Sequence, residues 1–494
     1  MKIKPINKDL IPNTTNPSPD YYCTWQTQLY ATSDGKPTAQ RAVLGENALF
    51  DENKPFGWAY FYEQARSDLF IVLDDSWDVP LNNDTRYYGS LILNSEKFPT
   101  FTDKNDNTMS LKKLSDKIKS LGWKGLGGWV CAQKSKLDDN KPEVYWKNKF
   151  TEMHNAGLAY WKVDWGEDCN DADFRRMLTA YSRKYAPDLV VEHAITKEVI
   201  PEGDIFRTYD VPAVMSIPMT LNKIAELSNV KPPRDNKSGL INCEDEVYIA
   251  ASLGFTMGIM RHPYRDEFPN GNPDMSFPAV HRNLKTKMYE VVRAARWHRV
   301  APAFSVSGEQ FFVDNCMLKD NWKFENPQAE IEEWWTRNPL TKPLINDGIF
   351  TVSAPKIITR NTSAPTVAPD KNGITPYCIA SLNPNGVYSI ATLARTINRN
   401  YFIPKCDITA NIGIANTVGV FGEYKTLTLI TEKESISQIL MQDLADDRCF
   451  DITNCVDIYG SNIKIGGEII SKIGTLAQPE NDTSEPGVVI KIKE

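Results

Sequence analysis

The stretch Leu158-Ala159-Tyr160-Trp161-Lys162-Val163-Asp164-Trp165 decides how the chain folds. Aromatic and β-branched residues dominate it, which marks a strand, and along a strand successive side chains point to opposite faces. Lys162 and Asp164 therefore share one face, while Val163 takes the other. If the strand belongs to a parallel barrel, both charged groups point inward and Val163 packs outward against helices. An ammonium beside Asp164 would hold that carboxyl ionised, the state a nucleophile needs.

Outward from this stretch, short apolar runs alternate with amphipathic helical ones from about Tyr21 to Pro302. The runs expected as strands are Tyr21 to Gln26, Leu69 to Asp74, Gly125 to Cys131, Leu158 to Asp164, Leu189 to His193, Ile205 to Thr208, Gly239 to Asn242 and Gly254 to Met260. Eight such runs with helices between them predict a closed (β/α)8 barrel of the TIM type. Leu111, Leu114, Ile118 and Leu121 recur at helical spacing, as do Phe174, Leu178, Tyr181 and Tyr185, with Asn170 or Asp171 placed to cap the latter helix. Leu284, Met288, Val291 and Ala295 form a third stripe.

After about Leu340 the pattern changes to short alternating runs broken by Gly, Asn and Asp. Val387 to Ala391, Tyr424 to Ile430 and Val488 to Lys493 read as strands of a C-terminal antiparallel β-sandwich, and Gln478 to Gly487 as a mobile polar turn. The expected organisation is a catalytic barrel over residues 1–340 and a sandwich domain over 341–494.

With 494 residues, 41% of them hydrophobic and 24% charged, the chain can bury a large core, which excludes general disorder. Its net charge of −7 argues against a nucleic-acid partner, and no apolar run reaches membrane-spanning length. The chain as it stands is expected to be soluble and cytoplasmic, or secreted or periplasmic if a signal peptide has been removed. The nine cysteines form no CxxC pair and the five histidines no HExxH motif, so free thiols are expected and neither a metal nor a cofactor is.

Active sites of parallel barrels lie at the C-terminal ends of the strands. The residues expected there are Asp74, Asp75, Lys162, Asp164, Glu192, His193, Arg207 and Asp210. Carboxylates converging from separate strands suit acid/base or glycosyl-transfer chemistry. Asp74, Asp75 and Asp164 with water could instead hold a metal ion. Trp25, Trp77, Trp129, Trp161 and Trp165 lie on or just after these strands, and Trp25, Trp129 and Trp165 are the candidates to offer a flat apolar surface to a sugar ring.

The order Cys23-Thr24-Trp25, Leu73-Asp74-Asp75-Ser76-Trp77, Gly127-Gly128-Trp129-Val130, Lys162-Val163-Asp164 and Arg207-Thr208-Tyr209-Asp210 resembles the α-galactosidase and α-N-acetylgalactosaminidase clan of retaining glycoside hydrolases. Asn242, Glu244 and Asp245 stand where that clan carries an Asn-Asp-rich turn. The resemblance implies a barrel with a C-terminal β-domain and an exo-acting hydrolase for an oligosaccharide or a polysaccharide-derived glycoside. It implies Asp164 as nucleophile and Asp210 as general acid and base. Asp74, Asp75, Lys162 and Arg207 would then bind hydroxyls, with Trp25 and Trp129 lining the pocket. Val191-Glu192-His193-Ala194 stands where the clan carries a Cys-x-Trp type motif that senses the C2 substituent, so α-galactoside, α-N-acetylgalactosaminide and β-L-arabinopyranoside all stay open. A sugar-binding protein without turnover is the reading from another class.

Overall fold

The computed structural model describes residues 4–31, 37–52, 57–194, 203–208, 215–229, 239–261, 286–306, 310–323, 345–346 and 348–494. Asp210 and Leu284 lie outside the described residues. Eight parallel strands form one sheet: β1 (Tyr21–Cys23), β2 (Phe70–Leu73), β3 (Gly125–Val130), β4 (Tyr160–Val163), β5 (Val190–His193), β6 (Ile205–Arg207), β7 (Leu240–Asn242) and β8 (Gly258–Ile259). Each pairs with its neighbour in sequence except at the seam. There β8 pairs with β1, and a parallel bridge from Asn242 to Thr256 joins β7 to the segment entering β8, so the sheet closes into a barrel. All eight lie within the runs expected from the sequence. The first is shorter, because Trp25 and Gln26 open a six-residue helix, Trp25–Tyr30.

The alternation read from the sequence holds. Ile71, Leu73, Trp161, Val163, Val191 and Phe206 belong to the large core between barrel and helices. Tyr21, Cys23, Phe70, Val72, Tyr160 and Ile205 fill the barrel interior. Burial of this kind stabilises by roughly 25 cal/mol per Å² of apolar surface. Within the barrel the Tyr21 and Tyr160 rings lie 4.9 Å apart. Gly127 makes room for this pair, since a Cβ there would sit 2.7 Å from that of Tyr160.

The surrounding helices are α1 (Asn107–Ser120), α2 (Pro142–Ala156), α3 (Ala172–Tyr185), α4 (Ser216–Leu227), α5 (Val247–Leu253) and α6 (Met288–Val300). Helix α3 starts as its sequence directs, with the Asp171 carboxylate accepting from the backbone N–H of Asp173 at 2.8 Å and of Phe174 at 3.1 Å. Leu111, Leu114 and Ile118 bury the inner face of α1.

The C-terminal region is a β-sandwich of a nine-stranded and a five-stranded sheet. Ile390, Val420 and Ile490 of the larger sheet share one core with Ile408, Leu427 and Ile463 of the smaller. Most pairings are antiparallel, as expected, but the pairs 357–360 with 377–382, 388–393 with 417–421, and 407–413 with 426–431 run parallel. The larger sheet also takes in the segments Lys4–Ile6 and Phe311–Val313 at its two edges.

Barrel and sandwich are held together by buried polar contacts as well as apolar ones. Arg293 of α6 forms a two-point ion pair with Asp443 at 2.9 and 3.2 Å, and both side chains are fully buried. Trp297 lies over Gly419, where a Cβ would come within 2.6 Å of the indole. The polar turn expected to be mobile is engaged here. Its Asp482 and Ser484 side chains accept from the backbone N–H groups of Met288 and Glu290, each at 3.1 Å. These are the first-turn donors of α6, which have no partner within their own helix.

Two variants should separate these contributions. Asp443→Ala strands a buried guanidinium and should cost about 3 to 5 kcal/mol, whereas Asp482→Ala removes a helix cap and should cost about 1 kcal/mol. Urea unfolding checks the order, and equal midpoints for the two variants would contradict it.

Candidate active site

The backbone at the end of β4 is fixed from three sides. Asp164 N–H donates to Val130 O at 3.0 Å. The buried Arg175 of α3 donates to Val163 O at 3.1 Å and to Asp164 O at 2.9 Å. Gly166 has φ +151°, and a Cβ there would meet the Ala132 backbone at 2.6 Å, so the chain after Trp165 passes where only glycine fits.

The Asp164 carboxylate is thereby held at the barrel mouth. Its Oδ1 accepts from Arg207 Nη2 at 2.9 Å and its Oδ2 from Trp129 Nε1 at 3.1 Å. The side chain keeps 18% of its surface exposed, whereas that of its partner Arg207 is 1% exposed. Burial pushes the Asp164 pKa up, but the Arg207 charge, with Lys162 and the Trp129 hydrogen bond, outweighs it and holds the carboxyl below its ordinary value. Asp164 is ionised at neutral pH.

Lys162 points inward, as its spacing from Asp164 requires, yet its ion-pair partner is Asp74, at 2.7 Å. Burial works against its charge, and Asp74 more than compensates, raising the ammonium pKa well above the ordinary value. Asp164 is in direct contact with Arg207, which the resemblance placed on substrate hydroxyls. Arg207 also donates to Glu244 Oε1 at 2.9 Å, and its Nε lies 3.4 Å from Glu192 Oε1.

Asp74 and Asp75 both reach the site, with their oxygens engaged by the protein. Asp74 Oδ2 accepts from the Cys23 thiol at 2.8 Å and from Lys162 at 2.7 Å, and Asp74 Oδ1 accepts from Asp75 N–H at 2.8 Å. Asp75 Oδ2 accepts from Arg41 Nε at 2.9 Å, and Asp75 Oδ1 from the Ser76 hydroxyl. Burial raises the Asp75 pKa, with Arg41 opposing.

Glu192 is fully buried inside the barrel, accepting from Tyr160 OH at 2.8 Å, Asn242 Nδ2 at 2.7 Å and Tyr21 OH at 3.2 Å. Burial raises its pKa, with Arg207 opposing. His193, one residue on, faces the other way, as strand alternation demands, and its Nε2 lies 2.8 Å from Thr179 Oγ1 of α3. Burial lowers its pKa well below the ordinary value, so it is neutral there.

Of the five tryptophans, Trp129 was expected to face a sugar ring but is fully buried and serves Asp164 through its N–H; Trp165, half-buried, packs on it with rings 5.3 Å apart and meets Tyr88 at 5.0 Å. The Arg41 guanidinium lies 5.6 Å from the Trp165 ring and 5.5 Å from that of Tyr88. Trp25 is half-buried at the start of its helix, beside the barrel-interior cluster. Trp77 donates to Trp129 O at 2.9 Å, and Trp161 packs outward on Phe150 with rings 4.2 Å apart.

The site thus offers one ionised, partly exposed carboxylate beside an aromatic wall, over a buried lattice of charged and polar groups. Such a carboxylate can act as a nucleophile or can hold a developing positive charge. Among the described residues no group of three His, Cys, Asp or Glu side chains is placed to hold a metal ion, nor is any helix long and apolar enough to cross a membrane. Sequence reasoning missed two contributors. Arg41 lies in a segment with no motif, and Glu244 was noted only as part of a turn, although its position just after β7 was a usable signal.

No family model matches the chain, and no curated protein matches it by sequence. The chain is similar to several solved structures. An α-galactosidase from Saccharomyces cerevisiae aligns at 9% identity over 99% of this chain and 100% of that one, with TM-score 0.40. α-Galactosidase I from Mortierella vinacea aligns at 12% identity over 69% and 95%, with TM-score 0.38. An Anoxybacillus α-amylase aligns at 9% identity over 96% and 98%, with TM-score 0.42.

Trp129→Phe removes the N–H that stabilises ionised Asp164 and keeps an aromatic ring in place. The Asp164 carboxyl should then titrate at higher pH than in the wild type. Carboxyl carbon NMR, with Asp164→Asn to assign the signal, checks this, and an unshifted titration would remove Trp129 from the electrostatics of the site.

Proposed function

We propose that the chain is a retaining exo-glycoside hydrolase that acts on α-galactosides, with Asp164 as nucleophile and Asp210 as general acid and base. The observation that carries this reading is the Asp164 carboxylate, held ionised by Arg207 and Trp129 and partly exposed at the strand ends. A structural ion pair filling a barrel needs no exposure, whereas a nucleophile has to be reached by substrate, and the Asp164 side chain is 18% exposed.

In this reading an Asp164 oxygen forms a bond to the anomeric carbon as the bond to the leaving oxygen breaks, and Asp210 gives that oxygen its proton. Water then attacks the glycosyl ester, Asp210 takes the water proton, and Asp164 leaves as a carboxylate, so the configuration is retained. Retention requires the two carboxyl groups to lie roughly 5 to 5.5 Å apart. The half-buried Trp165, backed by the fully buried Trp129, suits the apolar C–H face of a sugar ring. Arg175 fixes the backbone that aims the nucleophile, which limits the misplacement that costs rate.

Asp164→Ala should lose essentially all turnover while unfolding at an unchanged urea concentration, and added azide should restore part of it as the glycosyl azide of inverted configuration. Full hydrolysis by that variant would exclude Asp164 as nucleophile. Asp210→Ala should slow glycosides with poor leaving groups far more than activated aryl glycosides, and equal losses on both would exclude the acid role.

The reading as a whole is tested with aryl α-D-galactopyranoside, α-N-acetylgalactosaminide, β-L-arabinopyranoside and α-glucoside, with and without chelator. Release from the galactoside, indifferent to chelator, is the expected result. Release from one of the next two instead would move the substrate within the clan, and sugar binding without release from any would indicate a non-catalytic binder.

A further inference from the structure

Arg41 enters the barrel mouth from a short helix, Pro37–Val43, in the connection between β1 and β2. Buried contacts hold it there. Lys97 Nζ donates to Arg41 O at 2.9 Å and to Ser76 O at 2.6 Å, which ties this helix to the segment after β2. The guanidinium directs Nε and Nη2 to one oxygen, Asp75 Oδ2, each at 2.9 Å. Nη1 is left over: it has no hydrogen-bond partner among the described residues and keeps contact with solvent. The Arg41 side chain is 18% exposed, whereas that of Asp75 is 3% exposed. On this side of the mouth a ligand therefore meets the cation, with the carboxylate behind it. A guanidinium carries donors only, and an anionic acceptor adds charge attraction to each hydrogen bond it makes. Arg41 and Lys97 lie among the carboxyls of Asp75 and Asp78. Burial pushes Asp78 up to about 7 and Lys97 down to about 8, so at neutral pH the two cations outweigh the two carboxyls.

We infer that Arg41 is a substrate-binding cation that takes an anionic substituent, a carboxylate or a sulfate ester, at C4 or C6 of the sugar. The inference rests on the glycosidase reading, because the position of the sugar is set by Asp164 facing the anomeric carbon. The Trp165 ring lies 5.6 Å from the Arg41 guanidinium and 5.3 Å from the ring of Trp129, whose N–H holds Asp164. Two aromatic rings thus separate Arg41 from the nucleophile. A sugar attacked by Asp164 presents to Arg41 a substituent on the far part of its ring, and not the one beside the attacked carbon. Asp164 and Asp74 do not oppose the anion with a free charge, since each is paired, with Arg207 and with Lys162.

The test measures kcat/KM of the wild type, Arg41→Ala and Arg41→Lys on the aryl glycoside the wild type cleaves and on its 6-carboxylate, 6-sulfate and 4-sulfate forms. Dividing each anionic value by the neutral one, and comparing that ratio between enzymes, cancels the intrinsic reactivity of each substrate. The wild type should cleave at least one anionic form, and Arg41→Ala should lower its ratio roughly 10- to 150-fold, the worth of a hydrogen bond between charged groups. Arg41→Lys, which keeps a positive charge against Asp75, should fall between. The form that responds distinguishes carboxylate from sulfate and C4 from C6. Equal losses on neutral and anionic substrates would mean that Arg41 only positions Asp75. That result, or a wild type that cleaves the neutral glycoside and no anionic form, overturns the inference while the glycosidase reading stands. If Arg41→Ala does not fold, calorimetry on the wild type decides: the free anionic sugar should bind more tightly than the neutral one, and equal or weaker binding overturns the inference. If the wild type neither cleaves nor binds any sugar of the panel, the glycosidase reading falls and takes this inference with it.

Discussion

The Arg207 guanidinium is the group on which the rest of the site depends. It is almost wholly buried and touches carboxylates from three other parts of the barrel: Asp164 after β4, Glu192 on β5 and Glu244 after β7. Taking one cation and three anions out of water costs far more than any single pair returns, so the arrangement depends on donors other than Arg207. Trp129 serves Asp164, while Tyr21, Tyr160 and Asn242 serve Glu192. The planar fork matters here, because a lysine has one nitrogen and cannot hold carboxylates at fixed separation.

A second cation divides the labour. Lys162 neutralises Asp74 in the same interior, with the Cys23 thiol as a further donor. Asp164 is consequently the carboxylate left with a solvent-facing edge, and its low pKa follows from the competition between burial and two cations. The neighbouring acids go the other way: burial raises Asp75 and Glu192 despite Arg41 and Arg207. Environments that push like groups apart in pKa are how one barrel mouth supports distinct roles.

The sandwich is continuous with this barrel in energetic terms. Arg293 and Asp443 are buried against each other between the two, and the Asp482 and Ser484 side chains finish a barrel helix. The turn carrying them has the polar, proline-containing composition of a solvent loop. Its order comes from the unsatisfied N–H groups of α6, which lie almost two hundred positions earlier in the chain.

By itself the sequence determined the barrel strands, the inward and outward faces of β4, a cap for α3 narrowed to Asn170 or Asp171, and the sandwich that follows, because strand alternation, helical spacing and caps are local. It also picked out Asp74, Asp75, Trp129, Lys162, Asp164 and Arg207 as residues at the strand ends. Which cation meets which carboxylate was decided only by the tertiary structure. Lys162 and Asp164 are neighbours in sequence, but closing the barrel sets Lys162 on Asp74 and swings Arg207 onto Asp164. The partner of a charge is fixed by distance through space, and a cylinder of parallel strands brings its closest inward groups together from strands far apart in the chain. Glu244 joined this charged network for the same reason, since its partner guanidinium is carried by a different strand.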